Sequence, residues 1–365
     1  MNKERKDHLR LIDIKGFKSI RDCELELGDI NVLIGSNGAG KSNFISVFEL
    51  LKNILKKNLS RYVGQKGGPN SLLYNGAKVT DTIEMEFYFG TKRESYSFIL
   101  KLSENNNFVF WNENVGDSGG GSSFGGYCES NWDTPPFGKI PLDKILSILE
   151  SQPLRLYHFH DTSPNAKVKQ QHSLSNGDTL LNDAGNLAAF LYNLKQHYPQ
   201  AYSNILYAVQ MIAPYFKDFV LRPIGQNSED ILLRWQKKGC DEIFFASQLS
   251  DGTLRFICLA TLLLQPMELQ PATIIIDEPE LGLHPFAITI FAEMVKKAAV
   301  NKQVILATQS VELLDHFDAR DVIVVDYGEN GSEFRRLDAE KLSIWLEEDY
   351  TLGELWNKNV FGGRP

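Results

Sequence analysis

Gly35-Ser36-Asn37-Gly38-Ala39-Gly40-Lys41-Ser42 follows the apolar run Ile30-Asn31-Val32-Leu33-Ile34 and precedes Phe44, Val47, Phe48, Leu51, Ile54 and Leu55, which recur at helical spacing. Strand, glycine loop and helix start in that order are what a phosphate cradle needs. Glycines let backbone N–H groups turn inward around phosphate oxygens, and the helix N-terminus adds partial positive charge. Ser36, Asn37, Gly38, Ala39, Gly40, Lys41, Ser42 and Asn43 are therefore the candidate contacts to a nucleoside triphosphate. Lys41 is placed to reach the β/γ phosphates and the Ser42 hydroxyl to ligate Mg²⁺.

A cradle needs a partner that holds the cation and activates water. Ile274-Ile275-Ile276-Asp277-Glu278-Pro279-Glu280 reads as a buried strand ending in paired acids. Asp277 is the candidate metal ligand together with Ser42, and Glu278 the candidate base for the attacking water. Leu249-Ser250-Asp251-Gly252-Thr253-Leu254-Arg255 opens a helical run through Leu259 and Leu262. A hydroxyl and a glycine at a helix start suit an anion, and they also suit an ordinary helix cap.

Outward from these motifs, Leu9-Arg10-Leu11-Ile12-Asp13-Ile14 and Cys23-Glu24-Leu25-Glu26-Leu27 alternate like half-buried strands around Gly16-Phe17-Lys18-Ser19-Ile20. Thr82 to Phe89, Ser95 to Leu100 and Phe108 to Trp111 read as an antiparallel meander. The Gly/Ser tract between Gly116 and Gly126 predicts a mobile surface loop, and Leu142 to Trp235 is mostly helical in pattern. Val304-Ile305-Leu306-Ala307 and Val322-Ile323-Val324-Val325 return the chain to α/β alternation. The expected organisation is a first lobe over 1–111, a Gly/Ser loop and helical lid insertion over 112–240, a second lobe over 241–330, and a tail over 331–365.

Composition narrows the class. Apolar residues make up 43% of 365, enough for a sizeable core, and the net charge of −8 argues against a surface basic throughout while leaving room for a local basic groove. No apolar run approaches the roughly 20 residues of a membrane span. The charged start Met1-Asn2-Lys3-Glu4-Arg5-Lys6-Asp7 lacks a following hydrophobic segment, so a cytoplasmic protein without membrane contact is the expectation. The four cysteines, Cys23, Cys128, Cys240 and Cys258, show no metal or disulfide spacing.

Together these residues resemble the ABC-type ATPase heads of the SMC and RecF kind, and more nearly the bacterial AAA-type ATPases related to overcoming-lysogenization-defect (OLD) proteins. The resemblance runs through Gly16 to Ile20, the phosphate loop, Leu249-Ser250-Asp251-Gly252, Asp277-Glu278-Pro279-Glu280, Gly282-Leu283-His284-Pro285 and Ala307-Thr308-Gln309-Ser310. It implies an α/β fold: a mixed sheet with a P-loop core, an antiparallel β subdomain and a compact helical lid. It also implies ATP and Mg²⁺ as cofactors, and a homodimer closed over two ATP molecules, with Ser250 and Gly252 touching the γ-phosphate held by the other subunit. Gln309 stands where many such heads carry a catalytic switch histidine; an amide can donate to the γ-phosphate but cannot titrate, so slow turnover is the expectation. The Mg²⁺-sensing glutamine of such heads has only Gln65 as a weak counterpart.

The interval from Ser42 to Ser250 lacks the sustained heptads of a long coiled coil. The short stretch after Thr308 holds no Asp-x-Asp pair, so no nuclease activity is expected from this chain, and any cleavage falls to a separately encoded effector, such as a nuclease. The resemblance suggests anti-phage defence. The rival readings are a RecF-like DNA-repair ATPase binding DNA across the dimer and a transporter ATPase subunit, with DNA or RNA a candidate partner. His158 and His160, on one face of a strand, read mainly as a polar strand end or a contact to the lid and secondarily as metal ligands. Asn186 and Arg255 are lesser candidates for nucleotide or subunit contacts. The tail from Leu342 to Trp356 reads mainly as packing on the chain's own head and secondarily as docking a partner, and Phe361-Gly362-Gly363-Arg364-Pro365 has no physical reading from sequence.

Overall fold

The β-branched runs around the phosphate loop are apolar on both faces because two cores claim alternate side chains. Val32, Ile34, Ile274, Ile276, Val304, Leu306, Val322 and Val324 enter one core. Leu33, Ile275, Ile305, Ala307, Ile323 and Val325 enter the other. A period of two feeding two covered faces is the mark of a buried parallel sheet. These assignments come from a computed structural model that describes residues 8–90, 94–117, 120–131, 155–224, 229–347 and 350–363.

In chain order, β1 (Leu9–Phe17), β2 (Ile20–Glu26) and β3 (Ile30–Ile34) lead to α1 (Lys41–Leu55) and α2 (Leu59–Gln65). The meander β4 (Thr82–Phe89), β5 (Glu94–Leu102), β6 (Phe108–Asp117) and β7 (Gly120–Phe124) follows, then β8 (Arg155–Tyr157) and β9 (His172–Ser173). Next come α3 (Leu187–His197), α4 (Pro199–Ile212), β10 (Phe216–Phe219), β11 (Asp230–Ile231), β12 (Arg234–Lys237) and β13 (Ile243–Phe245). The chain then runs through α5 (Asp251–Leu264), β14 (Thr273–Asp277), α6 (Pro285–Ala299), β15 (Gln303–Thr308), α7 (Val311–Leu314), β16 (Val322–Gly328), β17 (Gly331–Arg336), α8 (Ala339–Glu347) and α9 (Leu352–Asn357).

Among the described residues, twelve strands form one mixed sheet in the order β7-β6-β5-β4-β1-β2-β17-β16-β3-β15-β14-β8. From β16 to β8 all neighbours are parallel; from β7 to β2 all are antiparallel. β17 pairs antiparallel with both β16 and β2, and so joins the two halves. The α/β class, the mixed sheet and the antiparallel subdomain are as the sequence implies. No described helix is long and apolar enough to cross a membrane.

Two local expectations need correction. The Gly/Ser tract is not simply a loop: Gly120–Phe124 pairs with β6, Gly121 opposite Gly116 and Phe124 opposite Glu113. Ladder hydrogen bonds are made by backbone, so a segment poor in apolar side chains can still be held where a neighbouring strand supplies the donors and acceptors. Ser118 and Gly119, from the same expected loop, lie outside the described residues. The insertion is likewise less helical than its pattern suggests. Residues 142–154 lie outside the described residues, β8 belongs to the main sheet, and after α3 and α4 comes a three-stranded sheet of β10, β12 and β13. Trp235 stacks there between Phe216 and Phe244, at centroid distances of 5.3 and 4.9 Å.

The tail packs on its own chain, as expected. Leu352, Leu355, Trp356 and Phe361 enter the same core as α5 and α6. The terminal glycines also acquire a physical reason: Gly362 and Gly363 both have φ of 83°, and the Gly363 N–H donates to Asp326 Oδ1 at 2.7 Å. Arg335 donates to the Phe361 carbonyl at 2.6 Å. Both glycines thus take a left-handed conformation that other residues adopt only at a cost.

Candidate functional site

β3, β15 and β14 are neighbours, and the residues that leave their C-terminal ends meet above the sheet. The β3 end gives the phosphate loop, β14 gives Asp277 and Glu278, and β15 gives Thr308 and Gln309. Ligands of open parallel sheets bind at this edge because the loops and helix N-termini gather there.

The loop is shaped by what lies beneath it. Gly40, at the N-cap of α1, has φ of 118°, and a Cβ there would stand 2.0 Å from Ser332 Oγ. Ser332 Oγ donates to Ser19 Oγ at 2.7 Å, and Asn43 Nδ2 donates to Ser19 Oγ at 2.7 Å. Lys18 Nζ donates to Ser46 Oγ at 2.8 Å. The Gly16-to-Ile20 turn and β17 thus form the floor of the loop, a positioning role that sequence reading missed for Ser332. Its only signal would have been the pairing of β17 with β2, which joins segments far apart in the chain.

Lys41 is buried, and its Nζ donates to the Gly35 and Ser36 carbonyls at 2.7 and 2.9 Å. Burial pulls its pKa down, and Glu278, Asp277 and Glu280 push it back up. Ser42 Oγ lies 3.5 Å from Asp277 Oδ2, while Asp277 Oδ1 is buried without a hydrogen-bond partner. Glu280 Oε1 accepts from Thr308 Oγ1 at 2.6 Å and from the Gln309 N–H at 3.2 Å; its Oε2 is also buried and unpartnered. Burial raises the Asp277 pKa, reinforced by Glu278. Three acids around one lysine, with an orphaned carboxylate oxygen beside a serine hydroxyl, form a donor set that fits a divalent cation.

Glu278 adopts φ of +42°, a left-handed conformation costing a non-glycine residue about 1 kcal/mol or more. Its N–H donates to the Ala307 carbonyl at 2.8 Å, and Gln309 Nε2 donates to Glu278 Oε1 at 2.7 Å. The two candidate catalytic residues are therefore in direct contact, with the backbone turned to place the carboxylate.

The remaining candidates separate. Ser250 caps α5, accepting from the Thr253 N–H at 3.2 Å, and a Cβ at Gly252 would stand 2.3 Å from the Gly282 carbonyl oxygen. Within one chain, Gly252 is thus required by close approach of the 282 loop. Arg255 donates to the Leu281 carbonyl at 2.7 Å and to the His160 carbonyl at 2.9 Å. Asn186 is wholly buried and staples a loop: its Nδ2 donates to the Asn176 and Thr179 carbonyls while its Oδ1 accepts from the Leu181 N–H. Gln65 is exposed at the end of α2. From β8, which flanks β14, it is His158 and His160 that approach Asp277.

A family model described as "AAA domain, putative AbiEii toxin, Type IV TA system" matches residues 30–315. The chain belongs to this AAA family. No curated protein matches it. Among solved structures it is similar to an SMC head bound to the C-winged helix domain of ScpA, with TM-score 0.63 and 14% identity over 92% of this chain and 99% of that one. It is also similar to the SMC head with an extended coiled coil, bound to the C-terminal domain of ScpA, derived from Pyrococcus furiosus, with TM-score 0.58 and 14% identity over 94% and 99%. The SMC head domain from Thermotoga maritima gives TM-score 0.50 and 15% identity over 91% and 99%. The AAA-family chain thus has the fold of an SMC-type ATPase head.

The unpaired carboxylate oxygen has a measurable consequence. A carboxyl whose folded pKa is raised destabilises the fold where it is ionised, and the penalty disappears as pH falls through that raised value. Asp277→Asn should therefore raise the melting temperature of the nucleotide-free protein at neutral pH by about 2 °C, the scale of a modest stabilising change in a domain of this size. The gain should vanish in acid, as scanning calorimetry across pH would show.

Proposed function

We propose that the chain is a slow ATPase whose two ATP-bound copies close head to tail, and that the closed dimer controls a separately encoded effector or an event on nucleic acid, in anti-phage defence. The observation that carries this reading is the convergence of Lys41 and Ser42, Asp277, and the bonded pair Glu278–Gln309 on three adjacent strand ends. Lys41 and the loop N–H groups would hold the phosphates, with Asn43 and Ser36 to Ala39 completing the cradle. Ser42 and Asp277 would hold Mg²⁺, which screens phosphate charge when bound. Glu278 would take the proton of the attacking water, positioned by Gln309.

Closure in trans is supported by the SMC-head fold and by Ser250 and Gly252 at the start of a fourteen-residue helix. The control of an effector follows the resemblance to ATPase heads, and the defence role is compatible with the toxin–antitoxin wording of the family description. Light scattering tests the dimer. With Mg²⁺ and a non-hydrolysable ATP analogue the mass should double, and Ser250→Arg should remain monomeric while still binding nucleotide. A monomer at every nucleotide concentration, or a Ser250→Arg dimer, would remove the head-to-tail assignment.

A further inference from the structure

The parallel register of β8 on β14 places Arg155, Leu156 and Tyr157 opposite Ile274, Ile275 and Ile276. One step further brings His158 alongside Asp277. Alternation then returns His160 to the same side while Phe159 is buried on the other. The two imidazoles lie 5.9 Å apart between ring centres. One nitrogen from each ring and a carboxylate oxygen of Asp277 all lie within 4.8 Å of one another. The backbone under them is fixed: the His158 N–H donates to the Asn182 carbonyl at 3.0 Å, and the His160 carbonyl accepts from Arg255.

Among the described residues, neither ring is hydrogen-bonded to another protein group, His158 being exposed and His160 half-buried, whereas Asp277 Oδ1 is buried with no partner. Each imidazole can turn one nitrogen lone pair toward a point it shares with the Asp277 carboxylate, with the other ring nitrogen directed away. A cation about 2.1 Å from each ligand needs ligand atoms about 3 to 4 Å apart, within reach of small side-chain rotations here. Magnesium prefers six oxygens, whereas imidazole nitrogen selects first-row transition metals.

We propose that His158, His160 and Asp277 bind a divalent first-row transition metal at the edge of the phosphate loop, a site that shares Asp277 with the Mg²⁺ position of Ser42 but takes its other ligands from the end of β8. The inference rests on the ATPase reading only in sharing Asp277 with it. Ser42 Oγ, 3.5 Å from Asp277 Oδ2, stands on the phosphate-loop side of the site. Arg255 ties the His160 backbone to the Leu281 carbonyl and to α5, so occupancy of the site would also steady the helix that starts after Ser250.

The test uses untagged, chelator-treated full-length protein without nucleotide, titrated with Co²⁺ and with Mg²⁺ by calorimetry and visible absorption. One Co²⁺ per chain should bind at least about tenfold more tightly than Mg²⁺, with a ligand-field spectrum of nitrogen coordination. His158→Gln and His160→Gln, which keep polar bulk, should each weaken Co²⁺ at least about tenfold while melting as the parent does. Lys41→Ala should lose nucleotide and retain Co²⁺. Absence of stoichiometric Co²⁺ binding, or parental Co²⁺ affinity in both histidine variants, would overturn the metal site. If nucleotide binding persists in those cases, the ATPase reading stands; if Co²⁺ binds but ATP does not, the ATPase reading falls alone.

Discussion

Glu278→Gln should leave ATP binding intact, hold the nucleotide-bound dimer together and lower turnover by about 100-fold, the low end of what a positioned general base contributes. The geometry makes this a clean substitution. Glu278 is locked by its N–H bond to Ala307 and by its left-handed backbone, neither of which depends on the charge. An amide at 278 can still meet the Gln309 amide, one group donating and the other accepting, so the contact survives without a proton acceptor of useful basicity. Single-turnover hydrolysis with light scattering on the same samples checks both halves. Unchanged hydrolysis would assign water activation to another residue. Normal binding with rapid dimer dissociation would mean that hydrolysis is not what opens the dimer.

Much of this site was legible in sequence because its logic is local. The phosphate loop, the β14 acids and the β15 end are each short runs in which a strand, a turn and a polar residue are contiguous, and contiguity is what periodicity reads. What escaped depends on contacts across the chain. The need for glycine at position 40 comes from Ser332, and the need for glycine at 252 comes from the carbonyl of Gly282. The β7 strand is held by backbone pairing that carries no side-chain signature. Phe361-Gly362-Gly363 makes sense only against Asp326 and Arg335. His158 and His160 looked like a polar strand end because nothing near them in sequence announces that β8 lies beside β14. Asn186 shows the opposite case: read as a lesser candidate for nucleotide or subunit contact, it is buried with its side-chain hydrogen bonds spent on its own loop.

Lys41→Ala should lower ATP affinity by at least about 100-fold with little change in the stability of the nucleotide-free fold. The asymmetry follows from what the ammonium does in each state. Without nucleotide it donates to the Gly35 and Ser36 carbonyls, and part of that gain offsets the cost of burying the charge. Its removal therefore relieves desolvation while sacrificing two hydrogen bonds, and the acids it faced are left to repel one another. With nucleotide, the same ammonium would exchange two neutral carbonyls for anionic phosphate oxygens, and a charge-assisted bond of that kind is worth about 1.5–3 kcal/mol. Two such bonds amount to the stated loss or more at about 1.4 kcal/mol per tenfold. Fluorescence titration with a labelled ATP and a thermal melt of the free protein separate the two effects. Tight nucleotide binding in the variant would remove the phosphate-loop assignment, and a collapse of the free fold would make Lys41 a structural strut of the loop.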